Sequence, residues 1–283
     1  MPDRTDLQQG GTRVAEPEVG GGSEEYLFDT GSDLGKQHVA LLEHLLDEPT
    51  LRTLQGAGVR EGSRCLEIGA GGGSVARWLA ERAGPSGHVI AVDLETGHLD
   101  EFPGIDIRRQ DIHDGLPDDG PYDLIHARLV LAHLPRRREL LRDLVAALAP
   151  GGWLVLGELG DRPMTVLSAP TESDAALFTY MQHLSLEVVS PARGLSMTWA
   201  AEVPEQMAAA GLVDLHGLQH SETARGGAAG SLLHRNLNMQ AEPMLREAGA
   251  TTAQLTRYRE LLLDPSFMAW FYEFVCVRGR RPA

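Results

Sequence analysis

A glycine-rich turn is the stretch of this 283-residue sequence whose spacing points most directly to chemistry. The segment "LEIGAGGGS" joins an apolar run to a segment of helical periodicity and places glycines at Gly69, Gly71 and Gly73. Two kinds of ligand-binding turn place glycines between a strand and the N-terminus of a helix, and they differ in the spacing of those glycines. The dinucleotide pattern G-x-G-x-x-G would need a glycine where Ser74 stands, whereas the alternate spacing G-x-G-x-G fits in full.

Acidic residues at the ends of the predicted strands describe the ligand. Glu67, just before the turn, would be unfavourable beside a pyrophosphate but would attract an ammonium group, and the helix N-terminus after Gly73 suits a carboxylate. Asp93 ends the second predicted strand, where an acid can bind ribose hydroxyls. Asp111 follows the third and can accept from an adenine amino group. S-adenosylmethionine has all of these parts. The alternatives are a Glu67 satisfied by backbone donors and an Asp111 solvated in an acidic loop.

Candidate catalytic residues follow the fourth and fifth predicted strands. A sulfonium already activates its methyl group, so the protein has to align a nucleophile and, for a hydroxyl acceptor, remove a proton. Ligands of open α/β sheets bind beyond the carboxyl ends of the strands, which selects His126, His133, Glu158 and Asp161, with His133 as the first choice. Each could instead have a structural role: His126 could pack in the core or hydrogen-bond to the backbone, and Glu158 could cap a loop. Arg128 either orients a ligand oxygen or forms a surface ion pair.

Aromatic and methionine side chains after the fifth strand are candidates for substrate contact. Phe178, Met181 and Trp199, together with His133 and Asp161, would line an apolar pocket for an aromatic or polyketide-like substrate. Such residues at helical spacing also serve as core, so both interpretations stay open.

Alternating strands and helices must position these residues. The strand candidates are "RCLEIG", "HVIAVD", "IDIRRQ", "YDLIHA" and "WLVLGEL". Helices are predicted at "SVARWLAERA" and from Arg136 to Ala149, where Pro150 would end the helix. This order predicts an α/β fold with a parallel, doubly wound sheet. The aromatic run "FMAWFYEFVCVRG" would supply a central strand.

The chain is predicted to hold one domain over 24–283, preceded by a disordered tail over 1–23 with little periodic apolar signal. Two helical insertions, at about 162–198 and 223–265, would form a cap over the strand ends.

The composition of the chain limits the kinds of partner that it is expected to bind. A formal net charge of −15 disfavours a broad nucleic-acid surface, so a small-molecule substrate is expected, and no apolar run reaches the length of a membrane span. Cys65 and Cys276 lie in apolar runs and the N-terminus lacks a leader pattern, which predicts a cytoplasmic protein with reduced thiols. No cluster has metal-ligand spacing, so no metal is predicted. A homodimer is left open.

With these motifs the chain resembles the class I S-adenosylmethionine-dependent methyltransferases, in particular the actinobacterial small-molecule group that acts on natural products. The resemblance runs from about residue 24 to 280 and is carried by "LEIGAGGGS", "VIAVD", "RRQDI", "YDLIHARLVLAHLP" and "LAPGGWLVLGE". It implies a seven-stranded Rossmann-like sheet in the order 3-2-1-4-5-7-6, with the last strand antiparallel.

The resemblance also implies contacts to S-adenosyl-L-methionine. Glu67 and the turn would contact the methionine part, Asp93 the ribose, and Asp111 with Ile112 the adenine. Tyr26 would fold over the cofactor as a lid, or else anchor the start of the first helix. The predicted cofactor set is Tyr26, Glu67, Gly69, Ala70, Gly71, Gly73, Asp93, Leu94, Asp111, Ile112, Ala127 and Arg128.

The predicted function is methyl transfer from S-adenosylmethionine to a small organic molecule, with oxygen as the preferred acceptor and in-line displacement as the mechanism. A single lysine, Lys36, among many arginines suggests a high-GC source, and hence secondary-metabolite or antibiotic biosynthesis. The alternatives are C- or N-methylation, a cofactor-binding scaffold for a non-methylating step such as cyclisation, and an NAD-dependent oxidoreductase. Ser74 and Glu67 oppose the last.

Overall fold

Two sheets organise the chain. The computed structural model describes residues 32–97 and 99–283, so the predicted tail and Tyr26 lie outside the described residues. The strands of the main sheet are β1 (Arg64–Ile68), β2 (His88–Asp93), β3 (Ile105–Arg109), β4 (Tyr122–Arg128), β5 (Leu148–Leu159), β7 (Val213–His220) and β10 (Phe274–Arg280). Three short strands, β6 (Thr165–Ser168), β8 (Thr223–Arg225) and β9 (Met268–Trp270), form a second sheet.

The main sheet has the order β3-β2-β1-β4-β5-β10-β7. β10 is antiparallel to both of its neighbours, while β1 to β5 pair in parallel. Numbered along the chain, its strands follow the predicted order 3-2-1-4-5-7-6, so the predicted Rossmann-like sheet is confirmed. The carboxyl ends of β1, β2, β4 and β5 lie along one edge, where the predicted site residues follow.

Helices cover both faces of this sheet. The helices are α1 (Asp33–Gln55), α2 (Ser74–Ala83), α3 (Arg137–Ala147), α4 (Glu172–His183), α5 (Ser190–Ala192), α6 (Trp199–Ala209), α7 (Ala229–Gln240), α8 (Glu242–Glu247) and α9 (Thr252–Leu261). Alternate strand residues enter different clusters: Cys65 and Leu124 pack with α1 and α2, whereas Leu66 and Ile125 pack with α3 and α6. Burial on both faces explains why these strands read as continuous apolar runs.

The segments predicted as helical insertions also contain strands. β6, α4 and α5 lie within 162–198, and β8, α7, α8 and α9 within 223–265, with a π-helical stretch at Leu184–Val189. These elements enclose a third apolar cluster that includes Phe178, Leu245, Tyr258 and Phe267. The second sheet was not predicted, because its strands are only three or four residues long.

Two predicted element boundaries are wrong. The helix from Arg136 was expected to run to Ala149, but it ends at Ala147 and β5 begins at Leu148. The strand extends through the Pro-Gly-Gly stretch because Gly151 N–H donates to the Arg281 carbonyl (3.0 Å) and Arg281 N–H donates to the Gly152 carbonyl (2.8 Å).

The second wrong boundary concerns "FMAWFYEFVCVRG", which forms two strands instead of one. Met268–Trp270 pairs with β6 and β8, whereas Phe274–Arg280 pairs with β5 and β7. The run therefore connects the second sheet to the main sheet.

None of the helices within the described ranges is long and apolar enough to cross a membrane.

Packing of α1 on the sheet generates a stability prediction. Leu54 is fully buried in the cluster beneath α1 and α2, so Leu54→Ala should lower the free energy of unfolding by about 2–5 kcal/mol. Leu263→Ala is the matched control, because Leu263 is 46% exposed and its truncation should change stability by less than about 0.5 kcal/mol. Urea denaturation of both variants measures the difference, and equal losses would contradict this packing.

Candidate functional site

The turn between β1 and α2 adopts a backbone that favours glycine. Gly69, Gly71 and Gly73 have φ of 68°, 55° and 81°, all in the left-handed region. A Cβ on Gly69 would also lie 2.4 Å from Cγ2 of Val130. The alternate glycine spacing therefore meets a backbone requirement at each of its three positions, and Ala70 is the one residue of the turn 69–73 that carries a side chain.

Asp93 holds this turn from the end of β2. Its Oδ2 accepts from the Gly71 N–H (2.9 Å) and its Oδ1 from the Glu95 N–H (3.0 Å). The carboxylate is only half-buried, so it keeps acceptor capacity toward solvent. Leu94 follows with 46% of its surface exposed, which provides an apolar surface next to the acid.

Asp111 caps a short 3-10 helix over Ile112–Asp114. Its Oδ1 accepts from the His113 N–H (2.9 Å) and lies 3.0 Å from His113 Nδ1. The side chain is partly exposed and Ile112 is buried beside it. Asp111 thus has a structural role while remaining accessible at the edge of the sheet.

Two carboxylates of α1 occupy the N-terminus of α2, which was predicted to receive a ligand carboxylate. Glu43 Oε1 accepts from the Ser74 N–H (3.2 Å), and Asp47 Oδ1 accepts from the Ser74 hydroxyl (2.9 Å). That prediction is corrected, because negative side chains of the protein itself already compensate this helix end. Neither acid was among the predicted site residues, although their i,i+4 spacing places them on one face of α1.

Glu67 also differs from its predicted role. The sheet register places it opposite His126, and its Oε2 lies 2.7 Å from His126 Nδ1. Glu67 is 2% exposed and His126 is fully buried, so neither offers surface to a ligand in this conformation. We revise both assignments to a buried cross-strand pair. Among the described residues, His126 Nε2 has no hydrogen-bond partner.

Arg128 forms a mostly buried ion pair with α1 and not an ion pair on the open surface. Its Nη1 donates to Asp47 Oδ1 (2.9 Å) and to the Thr50 hydroxyl (3.2 Å), with 12% of the side chain exposed. Arg128 thereby connects the end of β4 to α1.

The loop after β4 brings His133 close to Glu158 and α1. Glu158 Oε1 accepts from the Ala132 N–H (3.2 Å), within the short 3-10 helix Leu131–His133. Burial raises the pKa of Glu158 to about 8, although the backbone N–H groups of Ala132 and Leu131 and the charge of Arg137 oppose the shift. At neutral pH this carboxyl group is therefore mostly protonated.

Two histidines in the same region stay neutral at neutral pH. Burial, and secondly the charge of Arg137, lower the pKa of His133 to about 4. Burial, and secondly His133, lower the pKa of His38 on α1 to about 4. A neutral imidazole can accept a proton, so the loop offers a proton acceptor. His38 was not among the predicted site residues, because it precedes a leucine-rich stretch of α1 and resembles part of that helix.

The predicted substrate residues do not form one pocket. Phe178 and Met181 are fully buried in the apolar cluster of the cap, and Trp199 is fully buried in the core below the main sheet. We therefore correct their assignment to core packing, since none of them has surface that a ligand could touch in this conformation. Asp161 is exposed just after β5.

Three further observations limit which ligands or metal ions the site could bind. Ala70 and Ala127 are buried and serve packing. Among the described residues, no group of three or more histidine, cysteine, aspartate or glutamate side chains could hold a metal ion. The glycine turn, together with Asp93 and Leu94, offers the acid and the apolar surface that the nucleoside part of S-adenosylmethionine would contact. Glu67 is buried and offers no surface to the ammonium group of that cofactor.

Comparison with known proteins agrees with this geometry. A family model described as a methyltransferase domain matches residues 39–216. The curated methyltransferase str2 of Strobilurus tenacellus is 35% identical over 101 residues, which cover 34% of this chain and 35% of that protein. The chain thus spans about a third of the length of the curated relatives it matches.

Solved structures share the fold at low sequence identity. Phosphoethanolamine N-methyltransferase 2 of Haemonchus contortus, in complex with phosphomonomethylethanolamine and S-adenosylhomocysteine, superposes with a TM-score of 0.54 at 15% identity, covering 89% of this chain and 58% of that one. The YcgJ protein of Bacillus subtilis gives a TM-score of 0.52 at 13% identity, covering 84% and 99%.

Glu158 generates a prediction of pH-dependent stability. Its pKa of about 8 in the folded chain exceeds the value of 4.5 for a free carboxyl, so its contribution is fully present below pH 4.5 and lost as pH rises through about 8. Glu158→Gln cannot titrate. The stability of the wild type relative to this variant should therefore fall by about 1 kcal/mol per pH unit between these limits.

Urea denaturation of both proteins at a series of pH values measures this difference. Because the two proteins share all other titrating groups, the contributions of those groups to stability cancel. A difference that stays constant from pH 5 to 8 would show that Glu158 is ionised throughout.

Proposed function

The chain belongs to the methyltransferase-domain family, and we propose that it transfers a methyl group from S-adenosylmethionine to the oxygen of a small organic molecule. The observation that carries this proposal is the turn of three left-handed glycines whose Gly71 N–H is held by Asp93. This arrangement places an acid at the end of β2 beside backbone that has no side chains, as an adenosyl ligand requires.

In this proposal Asp93 accepts from the ribose hydroxyls, and Leu94 and Ile112 flank the adenine with Asp111 at its amino group. Glu43 takes the role first given to Glu67, because its carboxylate lies beside the turn at the start of α2. An ammonium group there would find a negative partner at the protein's own surface.

The bound cofactor would supply a methyl group already activated by its sulfonium. The chain itself has to orient an acceptor oxygen and take up its proton. We assign proton uptake to His133, which is neutral at neutral pH and lies in the loop at the carboxyl edge of β4. Glu158 positions that loop through the backbone of Ala132.

The wider setting is part of the same proposal. One methyltransferase domain over 24–283, with cap segments at about 162–198 and 223–265, would act in the cytoplasm on a secondary metabolite, in antibiotic biosynthesis of the actinobacterial kind. The acidic net charge of −15 supports a small-molecule substrate over a nucleic acid. The domain could act as a monomer or a homodimer.

Calorimetric titration with S-adenosylhomocysteine, and with NADH in parallel, tests the cofactor. We expect micromolar binding of the former and none of the latter. Asp93→Ala should weaken binding by about ten- to a hundredfold, because a charged acceptor and the tie to Gly71 are both lost. The control Asp143→Ala removes an exposed acid of α3 and should leave the affinity unchanged. NADH binding alone would overturn the assignment.

Separating binding from turnover tests the role of His133. His133→Ala should keep the affinity for S-adenosylhomocysteine and lower methyl transfer to phenolic acceptors by about 10²–10⁴-fold, as measured by mass spectrometry. Lost cofactor binding in this variant would reassign His133 to the cofactor site. Methyl transfer to carbon or nitrogen would replace oxygen as the acceptor, and tight cofactor binding without transfer would favour a non-methylating scaffold.

A further inference from the structure

A cavity of about 210 Å³ lies between α1 and the cap, beyond the carboxyl ends of β5 and β7. We name it the α1–cap cavity. Its walls include Leu42 and Leu45 of α1, Leu159 at the end of β5, and the aromatic residues Phe271, Tyr272 and Phe274. None of these six residues was predicted to contact a substrate.

The aromatic wall is held from behind by buried rings. Tyr272 stacks on His234 with the ring centroids 4.6 Å apart and the planes 14° apart, and His234 lies 5.0 Å from Phe271. His234 is itself buried and lies 3.4 Å from Gln182, which donates to the Tyr258 hydroxyl (2.6 Å). Because Phe271 and Tyr272 pack against this buried group, their freedom to rotate is reduced and this part of the wall is formed before a ligand arrives.

Volume limits the ligand to a small ring system. An apolar protein cavity of about 150 Å³ can hold a benzene molecule. A cavity of 210 Å³ therefore admits one or two fused rings. Flat aromatic rings also match an aromatic wall, since offset and edge contacts between rings add to the free energy of burial.

Charge at the rim disfavours anionic ligands. His220 Nε2 lies 3.4 Å from Glu222 Oε1, and both residues line the cavity. The described lining contains no lysine or arginine, while Glu222 contributes a carboxylate to a chain of net charge −15. A negatively charged ligand would be repelled, whereas a neutral hydroxyl group could hydrogen-bond to the rim.

We propose that the α1–cap cavity binds a neutral, hydroxylated aromatic ring system of one or two rings as the acceptor substrate. This inference rests on the proposed function, because methyl transfer supplies the reason for an acceptor site. α1 joins the two places: Leu42 and Leu45 face the cavity, and Glu43 faces the turn.

Calorimetric titration with 2-naphthol, in the presence of S-adenosylhomocysteine, tests the cavity. Ala229 lies at the start of α7 and lines the cavity, so Ala229→Leu fills part of it and should weaken 2-naphthol at least tenfold. Ala208→Leu is the matched control, because Ala208 is exposed on α6 and should leave binding unchanged. Ala228→Leu, at an exposed lining position, repeats the test without a buried substitution. The anion 2-naphthoate should bind at least tenfold more weakly than 2-naphthol.

The outcomes separate this inference from the proposed function. If 2-naphthol fails to bind the wild type while S-adenosylhomocysteine binds, or if it binds all variants equally, the cavity assignment is wrong and the methyltransferase proposal stands. If 2-naphthol binds as expected but S-adenosylhomocysteine does not, the cavity stands as a binding site and the proposed function falls. Tighter binding of 2-naphthoate would overturn the charge argument.

Discussion

The placement of α1 against the glycine turn and the sheet depends on the hydrogen bonds that the carboxylate of Asp47 accepts. This carboxylate accepts from the Ser74 hydroxyl at the start of α2 and from Arg128 at the end of β4. One side chain therefore fixes α1 against both the glycine turn and the sheet. Arg128 is mostly buried, so loss of Asp47 would leave a positive charge without its partner inside the protein, which is far more destabilising than loss of a surface ion pair.

The position of α1 in turn decides where the cap can pack. α7 lies against α1, and the Asn236 amide donates to the Leu34 carbonyl (2.9 Å) and to Gln37 Oε1 (3.1 Å). The cap thus reaches the main sheet through a helix that already contacts the turn. Since Glu43 and Leu42 are adjacent in α1, a change at the turn and a change in the α1–cap cavity would act on the same turn of helix. This shared helix connects the cavity to the proposed cofactor site.

The sequence could predict those features that depend on backbone conformation or strand alternation. The glycines at 69, 71 and 73 were recognisable because each needs a positive φ, and the βαβ alternation indicated a parallel sheet. The strand order came from the family resemblance. The pairing of Glu67 with His126 was beyond prediction, since it depends on the register between β1 and β4, which lie 59 residues apart in the chain. Burial of Phe178 and Trp199 was also unreadable, because the same residue types serve cores and pockets.

Burial suppresses the ordinary charges of two neighbouring groups, Glu158 near the end of β5 and His133 in the loop after β4. Burial favours the neutral form of an acid and of a base alike, so it raises the pKa of Glu158 to about 8 and lowers that of His133 to about 4. The charge of Arg137 acts on both, opposing the raised pKa of Glu158 and reinforcing the lowered pKa of His133. Near pH 7 the end of β5 thus holds a neutral acid and the loop after β4 a neutral base. A neutral imidazole of low pKa is a weak base, so in the proposed function proton uptake by His133 would accompany methyl transfer.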